Sequence, residues 1–348
     1  MTDRPIGYYV HHHGAGHLAR ARAIAGAAAG RIVLLGTGIG PLGVDLADDQ
    51  LEASMFDGAD GSANRPDALH YAPLDHDGIR SRIATIARWI EAHEPSLLVV
   101  DVSVEIAMLA RLASVPLVYV RLNGDRTDTP HLEAFRSAAG LLAPFHENLE
   151  ASSTSSWVRE KTRYLPGITS KPSARPEHRQ STILLVVGRG GRPGDGEAIA
   201  QAAARCQGWH WRVMGPCSTP RRRPWNLDLL GWIQYPEQEI ADATLVVGAA
   251  GDGLVGSILA ADRPFICLPE DRPFDEQRAT AHGLGAAGAA IVLSHWPKPG
   301  RWPTLIAEAL ALSGDARHNL HDPHGVETAA HWLFDMAGLP HDDLEKAA

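Results

Sequence analysis

Twice along this chain a short apolar run is followed by a longer, alanine-rich stretch with helical spacing, and a proline-rich break separates the two series. Such alternation admits few architectures, because strands joined through helices lie parallel and need helices on both faces of their sheet. The first series runs IGYYVHHH from Ile6, HLARARAIAGAAAG closing at Gly30, and RIVLLG, then a helix over 79–92 with Ile79, Ile83, Ile86 and Ile90 on one side. LLVVD, VEIAMLARLA and PLVYVRL complete it. Between Pro166 and Gln180 the pattern breaks into PGITSKPSARPEHRQ, with three prolines and few apolar residues, which reads as an interdomain linker. The cycle then restarts with STILLVVG, a helix over 195–206, WHWRVMG, LDLLGWI, TLVVGA, a helix over 254–261, PFICLP and AAIVL. The expected fold is α/β: two Rossmann-like domains facing a cleft. The expected divisions are a first domain over 1–167, a linker over 168–180 and a second domain over 181–325. A helix and tail over 326–348 is expected to pack back on the first domain.

The 348 residues suit two domains of ~150 residues each. A net charge of −9 and a pI of about 6.0 argue against a nucleic-acid binder, which needs a basic face for phosphates. Cys206, Cys217 and Cys267 are the only cysteines, and no two have zinc-ligand spacing, so neither a disulfide framework nor a structural zinc site is expected. No apolar run reaches the ~20 residues of a membrane helix, and MTDRPIGYYV lacks a signal-peptide core. A cytoplasmic protein is expected, with a peripheral membrane contact through the first domain left open.

The stretch Gly14-Ala15-Gly16-His17-Leu18-Ala19-Arg20 sits where the first strand turns into the first helix. Glycines there let the backbone approach a ligand, and a helix amino end offers free N–H groups. The second strand ends in Leu34-Leu35-Gly36 with no acidic residue, which disfavours a nicotinamide cofactor. His11, His12 and His13 are consecutive on a strand and alternate faces, and no H-E-x-x-H or D-x-D pattern accompanies them, so no metal site is expected there.

YYVHHHGAGHLARARAIA resembles the opening of GT-B glycosyltransferases. It is nearest to predicted transferases with a G-x-G-H-x-x-R start, and more distantly similar to the peptidoglycan N-acetylglucosaminyltransferases and the plant UDP-sugar transferases. The resemblance implies that His17 is the general base for an acceptor hydroxyl and that Asp101, closing LLVVD, is its partner. Capping or packing the turn is the plainer role for His17, and capping the next helix that for Asp101. On the acceptor side, Gly14, Gly16 and Asn123 are implied, with the loops after Leu51 and Leu122 lining the site. VVGRGGRPG resembles the glycine-rich loop beneath a donor diphosphate, with Arg189, Gly190 and Arg192 in reach of its charge. Leu230–Leu293 resembles the donor half of these families: Trp232 and Ile233 beside the base, Gly251 opening the diphosphate helix, and Asp275, Glu276 and Gln277 on the sugar hydroxyls.

The departures lie in the same segment. Gly253 and Leu254 stand where relatives carry Ser, Thr or Asn for phosphate, Ser257 where they carry a ribose-binding glutamate, and Thr280 where an asparagine is usual. Asp252 sets a negative charge beside the diphosphate position unless it turns away to cap the helix. The resemblance implies a nucleotide-sugar donor (UDP by default, dTDP open), an unknown acceptor, an inverting transfer, and no cofactor or metal. Two alternatives remain: a binding or regulatory protein that kept the fold, and a nucleotide-sugar 2-epimerase, for which His282 and His295 are the nearby histidines.

Overall fold

The computed structural model describes residues 4–11, 15–48, 66–170, 172, 181–188, 190–341 and 344. In the first half, β1 (Ile6–Tyr9), α1 (Ala15–Gly26), β2 (Ile32–Gly36), β3 (Gly43–Asp45), α2 (Asp77–His93), β4 (Leu97–Asp101) and α3 (Val104–Leu112) come first. They are followed by β5 (Leu117–Val120), α4 (Thr129–Ser137), β6 (Gly140–Ala143), α5 (Ser156–Lys161) and β7 (Thr162–Tyr164). The second half opens with β8 (Thr182–Val186), α6 (Gly196–Arg205), β9 (His210–Met214), β10 (Leu227–Gly231), α7 (Glu237–Asp242), β11 (Leu245–Gly248) and α8 (Asp252–Ala260). It closes with β12 (Phe265–Cys267), α9 (Glu276–Ala286), β13 (Ile291–Val292), α10 (Trp302–Leu310), α11 (Gly314–His318) and α12 (Gly325–Ala337).

Among the described residues two sheets form, ordered β3-β2-β1-β4-β5-β6-β7 and β10-β9-β8-β11-β12-β13, with parallel pairing throughout. The α/β class and the two Rossmann-like domains facing a cleft are therefore as the alternation dictated. Covered on both faces, the central strands read as unbroken apolar runs: Leu97, Leu98, Val99 and Val100 are all fully buried. In each sheet the strand order reverses beside the first strand, at β1/β4 and at β8/β11. That reversal opens a crevice at the carboxyl ends of the strands, where open α/β sheets bind ligands.

Caps explain several helix starts. Ser103 accepts from the Ile106 N–H (3.3 Å) to open α3, and Asp195 accepts from the Glu197 and Ala198 N–H groups to open α6. LDLLGWI stops short as a strand: β10 ends at Gly231, whose φ of +68° takes the chain out of the pleat before Trp232. The first and second domains also share a core, since Phe145 and Leu149 lie among the apolar side chains of the second sheet. Late in the chain, α12 buries Ala329, Ala330, Leu333 and Phe334 in one cluster with Ile6, Tyr8, Ala21 and Ile24. No described helix is long and apolar enough to cross a membrane.

Phe334 is fully buried against β1 and α1. Phe334→Ala is expected to cost about 3–5 kcal/mol of stability, measurable by urea unfolding followed by circular dichroism.

Candidate active site

The carboxyl ends of β1 and β4 adjoin at the first crevice, and this brings His17, in the first turn of α1, to the terminal residue of β4. His17 Nδ1 lies 3.0 Å from Asp101 Oδ1. Asp101 is fully buried and His17 is 13% exposed, so the ring keeps an edge toward the cleft. Asp101 does not cap α3, because Ser103 does.

A third residue completes the cluster. Arg20 follows His17 by three positions, hence on the same helix face. Its Nη2 donates to both Asp101 oxygens, each at 3.0 Å, and its Nη1 donates to Asp252 Oδ2 at 2.5 Å. Arg20 itself is buried, and one of its contacts crosses from the first domain to the first residue of α8. Asp252 therefore points toward Arg20; Gly251 is the α8 N-cap and no side chain caps that end.

One guanidinium shared by two carboxylates cannot neutralise both. Burial pushes the Asp101 carboxyl up, but Arg20 and His17 outweigh it and hold it at about 2. Asp252 takes the lesser share: burial drives it up to about 6, with Glu276 and Asp101 adding to the rise and Arg20 and His17 opposing it. His17 Nδ1 lies 3.0 Å from both Asp101 Oδ1 and Arg20 Nη2, so one ring nitrogen meets a carboxylate acceptor and a guanidinium donor together.

The helix starts at Gly16 and Gly253 nearly touch: a Cβ on Gly16 would lie 3.7 Å from the Gly253 Cα and amide nitrogen. A Cβ on Gly253 would lie 3.3 Å from the Gly16 Cα, closer than ordinary contact, so the approach of α1 and α8 favours glycine at 253. Ser257 is turned inward, donating to Gly253 O (3.0 Å) and pairing with Thr169 Oγ1 (3.1 Å). The segment after the first domain therefore occupies that position.

Asp275, Glu276 and Gln277 split three ways. Asp275 is exposed, in a turn where Phe274 (φ +62°) and Asp275 (φ +51°) are both left-handed. Glu276 accepts from Arg126 Nη2 at 3.0 Å. Gln277 Oε1 accepts from the Ala250 (3.2 Å) and Glu270 (2.8 Å) amides, pinning the approach to α8. The first domain clamps this turn: the Asp125 N–H donates to Phe274 O at 2.6 Å, and the Arg126 guanidinium sits 5.1 Å from the Phe274 ring centre. Gly124 (φ +104°) permits the approach, since a Cβ there would lie 2.3 Å from Phe274 O.

Asn123 is not brought to the cleft. It is 3% exposed; its Nδ2 donates to Leu149 O and Thr280 Oγ1, and its Oδ1 accepts from the Gly124 and Ala151 amides. The amide instead stitches the two domains together, with Thr280 as its partner. Gly190 is held by Arg272, which donates to its carbonyl. Trp232 is 40% exposed and lines a cavity of about 510 Å³ with Gly215, Pro216, Cys217, Thr219, Leu229 and Gly231. Ile233 packs its side chain into the second-domain core. Gly14, Arg189, His12, His13 and the loop directly after Leu51 lie outside the described residues; His11 meets His17 edge-on, ring centres 5.3 Å apart.

Sequence reasoning also passed over His70, Asp128 and His131, whose ligand-type atoms lie within 4.8 Å of one another. Their wiring is that of a hydrogen-bond relay. Arg126 Nη1 lies 3.0 Å from His131 Nε2, so that nitrogen accepts and Nδ1 donates to Asp128 Oδ2 at 2.6 Å. Burial, reinforced by Arg126, pushes His131 down to about 3. A cation coordinated through Nδ1 would need the proton moved to the nitrogen that faces the guanidinium.

No protein-family model matches the chain, and no curated protein does. Solved structures of the same fold do. The glycotransferase of kitacinnamycin is 14% identical, with a TM-score of 0.67 over 97% of this chain and 100% of its own. Acinetobacter baumannii MurG is 15% identical, with a TM-score of 0.66 over 95% and 99%. The spinosyn rhamnosyltransferase SpnG complexed with thymidine diphosphate is 19% identical, with a TM-score of 0.57 over 98% of each chain. At these identities the likeness establishes the GT-B fold.

Because the Asp252 value is raised on folding, the stability tied to it is full below the unfolded carboxylate range near 3.9 and is lost as pH rises through about 6. Asp252→Asn is therefore expected to raise the thermal midpoint at pH 7.5, with the gain shrinking at pH 5. Asp101, held low, contributes the opposite way: its stability is present above about 4 and lost toward 2. Asp101→Asn is expected to lower the midpoint at both pH values; paired melts of the two variants read both signs.

Proposed function

We propose that the chain is an inverting glycosyltransferase that needs no metal and moves a sugar from a nucleoside diphosphate donor to an acceptor hydroxyl. The observation that carries this reading is the His17–Asp101 pair at 3.0 Å, set in the cleft opposite the amino end of α8. The GT-B fold supports it, since the similar structures are glycosyltransferases by name.

In this reading Asp101 fixes the ring so that Nε2 of His17 faces the acceptor. As the acceptor oxygen attacks the anomeric carbon, its proton passes to Nε2. The bond from that carbon to the diphosphate oxygen breaks on the opposite face, and the electron pair leaves with the nucleoside diphosphate. One displacement inverts the centre. Charge on the leaving group is met by the amino end of α8 and by arginines of the glycine-rich loop, Arg189 and Arg192. Trp232 and its cavity, within the ~300–1,000 Å³ of small-molecule sites, take the base, with the Ile233 backbone reading its edge. Asp275 and the Glu276–Gln277 pair face the sugar. UDP is the first donor nucleotide to test, and the thymidine diphosphate in one similar structure keeps dTDP beside it. A cytoplasmic location belongs to the same reading.

Calorimetric titration with UDP, dTDP, GDP and ADP, with and without EDTA, tests the donor half. Saturable binding of one nucleotide that EDTA leaves unchanged is expected, and binding of none would sink the reading. In an acceptor screen, His17→Ala is expected to lower kcat by about 10²–10⁴ while nucleotide affinity stays within twofold, a split that separates a base from a donor ligand.

A further inference from the structure

The guanidinium of Arg126 is fixed from within the first domain before it meets the second. Its Nε donates to the Leu122 (3.1 Å) and Asn123 (3.2 Å) carbonyls, and its Nη1 donates to His131 Nε2 at 3.0 Å. His131 can accept because it is neutral: burial, with Arg126 next, pushes it down to about 3. The His131 Nδ1 donates to Asp128 Oδ2 (2.6 Å), and the other Asp128 oxygen lies 2.7 Å from His70 Nε2. The His70 and Tyr71 amides in turn donate to Glu105 Oε1, 2.8 Å each, and Ser103 donates to Glu105 Oε2. A continuous relay thus runs from the cap of α3, just beyond Asp101, to Arg126.

What this relay aims is Nη2, which donates to Glu276 Oε2 at 3.0 Å. The Arg126 side chain is 8% exposed and that of Glu276 23%, so the pair is shielded at the arginine and open at the carboxylate. Burial lowers the Arg126 guanidinium from its ordinary range, and Glu276 is the foremost charge opposing that fall. Only one carboxylate oxygen is engaged: among the described residues Glu276 Oε1 has no hydrogen-bond partner. A carboxylate pinned at one oxygen has lost rotamer freedom in advance, and its second oxygen is a charged acceptor held in place for a hydroxyl. The local chain supplies little of this order, since Glu276 follows the left-handed Phe274 and Asp275 and no side chain caps α9.

We infer that Arg126 is a positioning residue for the donor sugar, acting through Glu276: it holds Oε2 so that Oε1 meets a sugar hydroxyl, and is itself aimed by His131, Asp128 and His70. The inference rests on the nucleotide-sugar reading above, in which Glu276 faces the sugar. Recognition of the sugar by the second domain is then set by a side chain of the first. Lysine cannot replace this arginine, because one ammonium on a flexible stem cannot serve the loop carbonyls, His131 and Glu276 in a single plane. The nucleotide has no share in the contact, so its affinity separates from that of the sugar.

The test is calorimetric titration of the full chain with UDP, dTDP, GDP and ADP and with the glucose conjugate of each. Wild type, Arg126→Lys, Glu276→Gln and the double variant are compared, with circular dichroism to confirm folding. For the nucleotide that wild type binds, Arg126→Lys is expected to weaken the nucleotide sugar about tenfold while the bare nucleotide stays within twofold. Glu276→Gln is expected to do the same, and the double variant to bind no more weakly than Glu276→Gln alone, because the two residues act as a unit. Losses that multiply in the double variant, or that fall equally on nucleotide and nucleotide sugar, overturn the inference and leave the nucleotide-sugar reading standing. Unchanged or tighter sugar binding by Arg126→Lys or Glu276→Gln does so too. Should Arg126→Lys fail to fold, His131 decides: His131→Gln keeps an acceptor near the Nε2 position, whereas His131→Asn ends short of it. The tenfold loss is then expected of His131→Asn and not of His131→Gln, and equal binding by the two overturns the inference. Absence of binding of every nucleotide sugar by wild type overturns the inference and the reading together.

Discussion

One buried guanidinium, that of Arg20, organises the centre of this molecule. It neutralises Asp101, which would otherwise stand as an isolated charge beneath the first sheet's crevice; removing one partner of such a pair costs about 3–5 kcal/mol. Through Asp101 it fixes His17, and through Asp252 it ties the first domain to the second. The placing of His17 and the contact between the domains thus depend on the same side chain, and a change to either is felt by the other.

The strand order explains why this cluster forms. Only where the order reverses do two strand ends leave a gap between their connections, and β1 and β4 are that pair in the first sheet. The helix after β1 starts in the gap and presents His17 and Arg20, while β4 delivers Asp101. The second sheet repeats the arrangement at β8 and β11, and α8, which follows β11, meets α1 at the first crevice. The two switch points also explain how the fold can hold a ligand between domains without inserting any extra element.

Much of this was legible in the sequence. The alternation dictated two parallel sheets, and the ends of the apolar runs at His17 and Asp101 marked the crevice side of the first. What escaped was everything set by contact between the domains. Arg20 was visible as the last letter of G-x-G-H-x-x-R, and its spacing from His17 placed both on one face, but its second carboxylate comes from residue 252. Asn123 looked like an acceptor-lining residue because it follows a strand end; its amide is instead consumed by Leu149, Ala151 and Thr280. Ser257 looked like a lost ribose ligand, yet its hydroxyl meets Thr169. A one-dimensional pattern names which residues reach a strand's carboxyl end, but not which of them the opposite domain will claim.

The left-handed pair at Phe274 and Asp275 has a consequence for engineering. Each such residue costs on the order of 1–3 kcal/mol, and here the cost is offset by a carbonyl, an aromatic ring and a carboxylate gripped from Gly124 to Arg126. The turn that carries Asp275, Glu276 and Gln277 is therefore moulded by the other domain. A chimera joining this second domain to a foreign first domain would inherit the correct sequence over 273–277 without the mould that shapes it. Transplants between such scaffolds should carry the 122–131 loop along with the second domain.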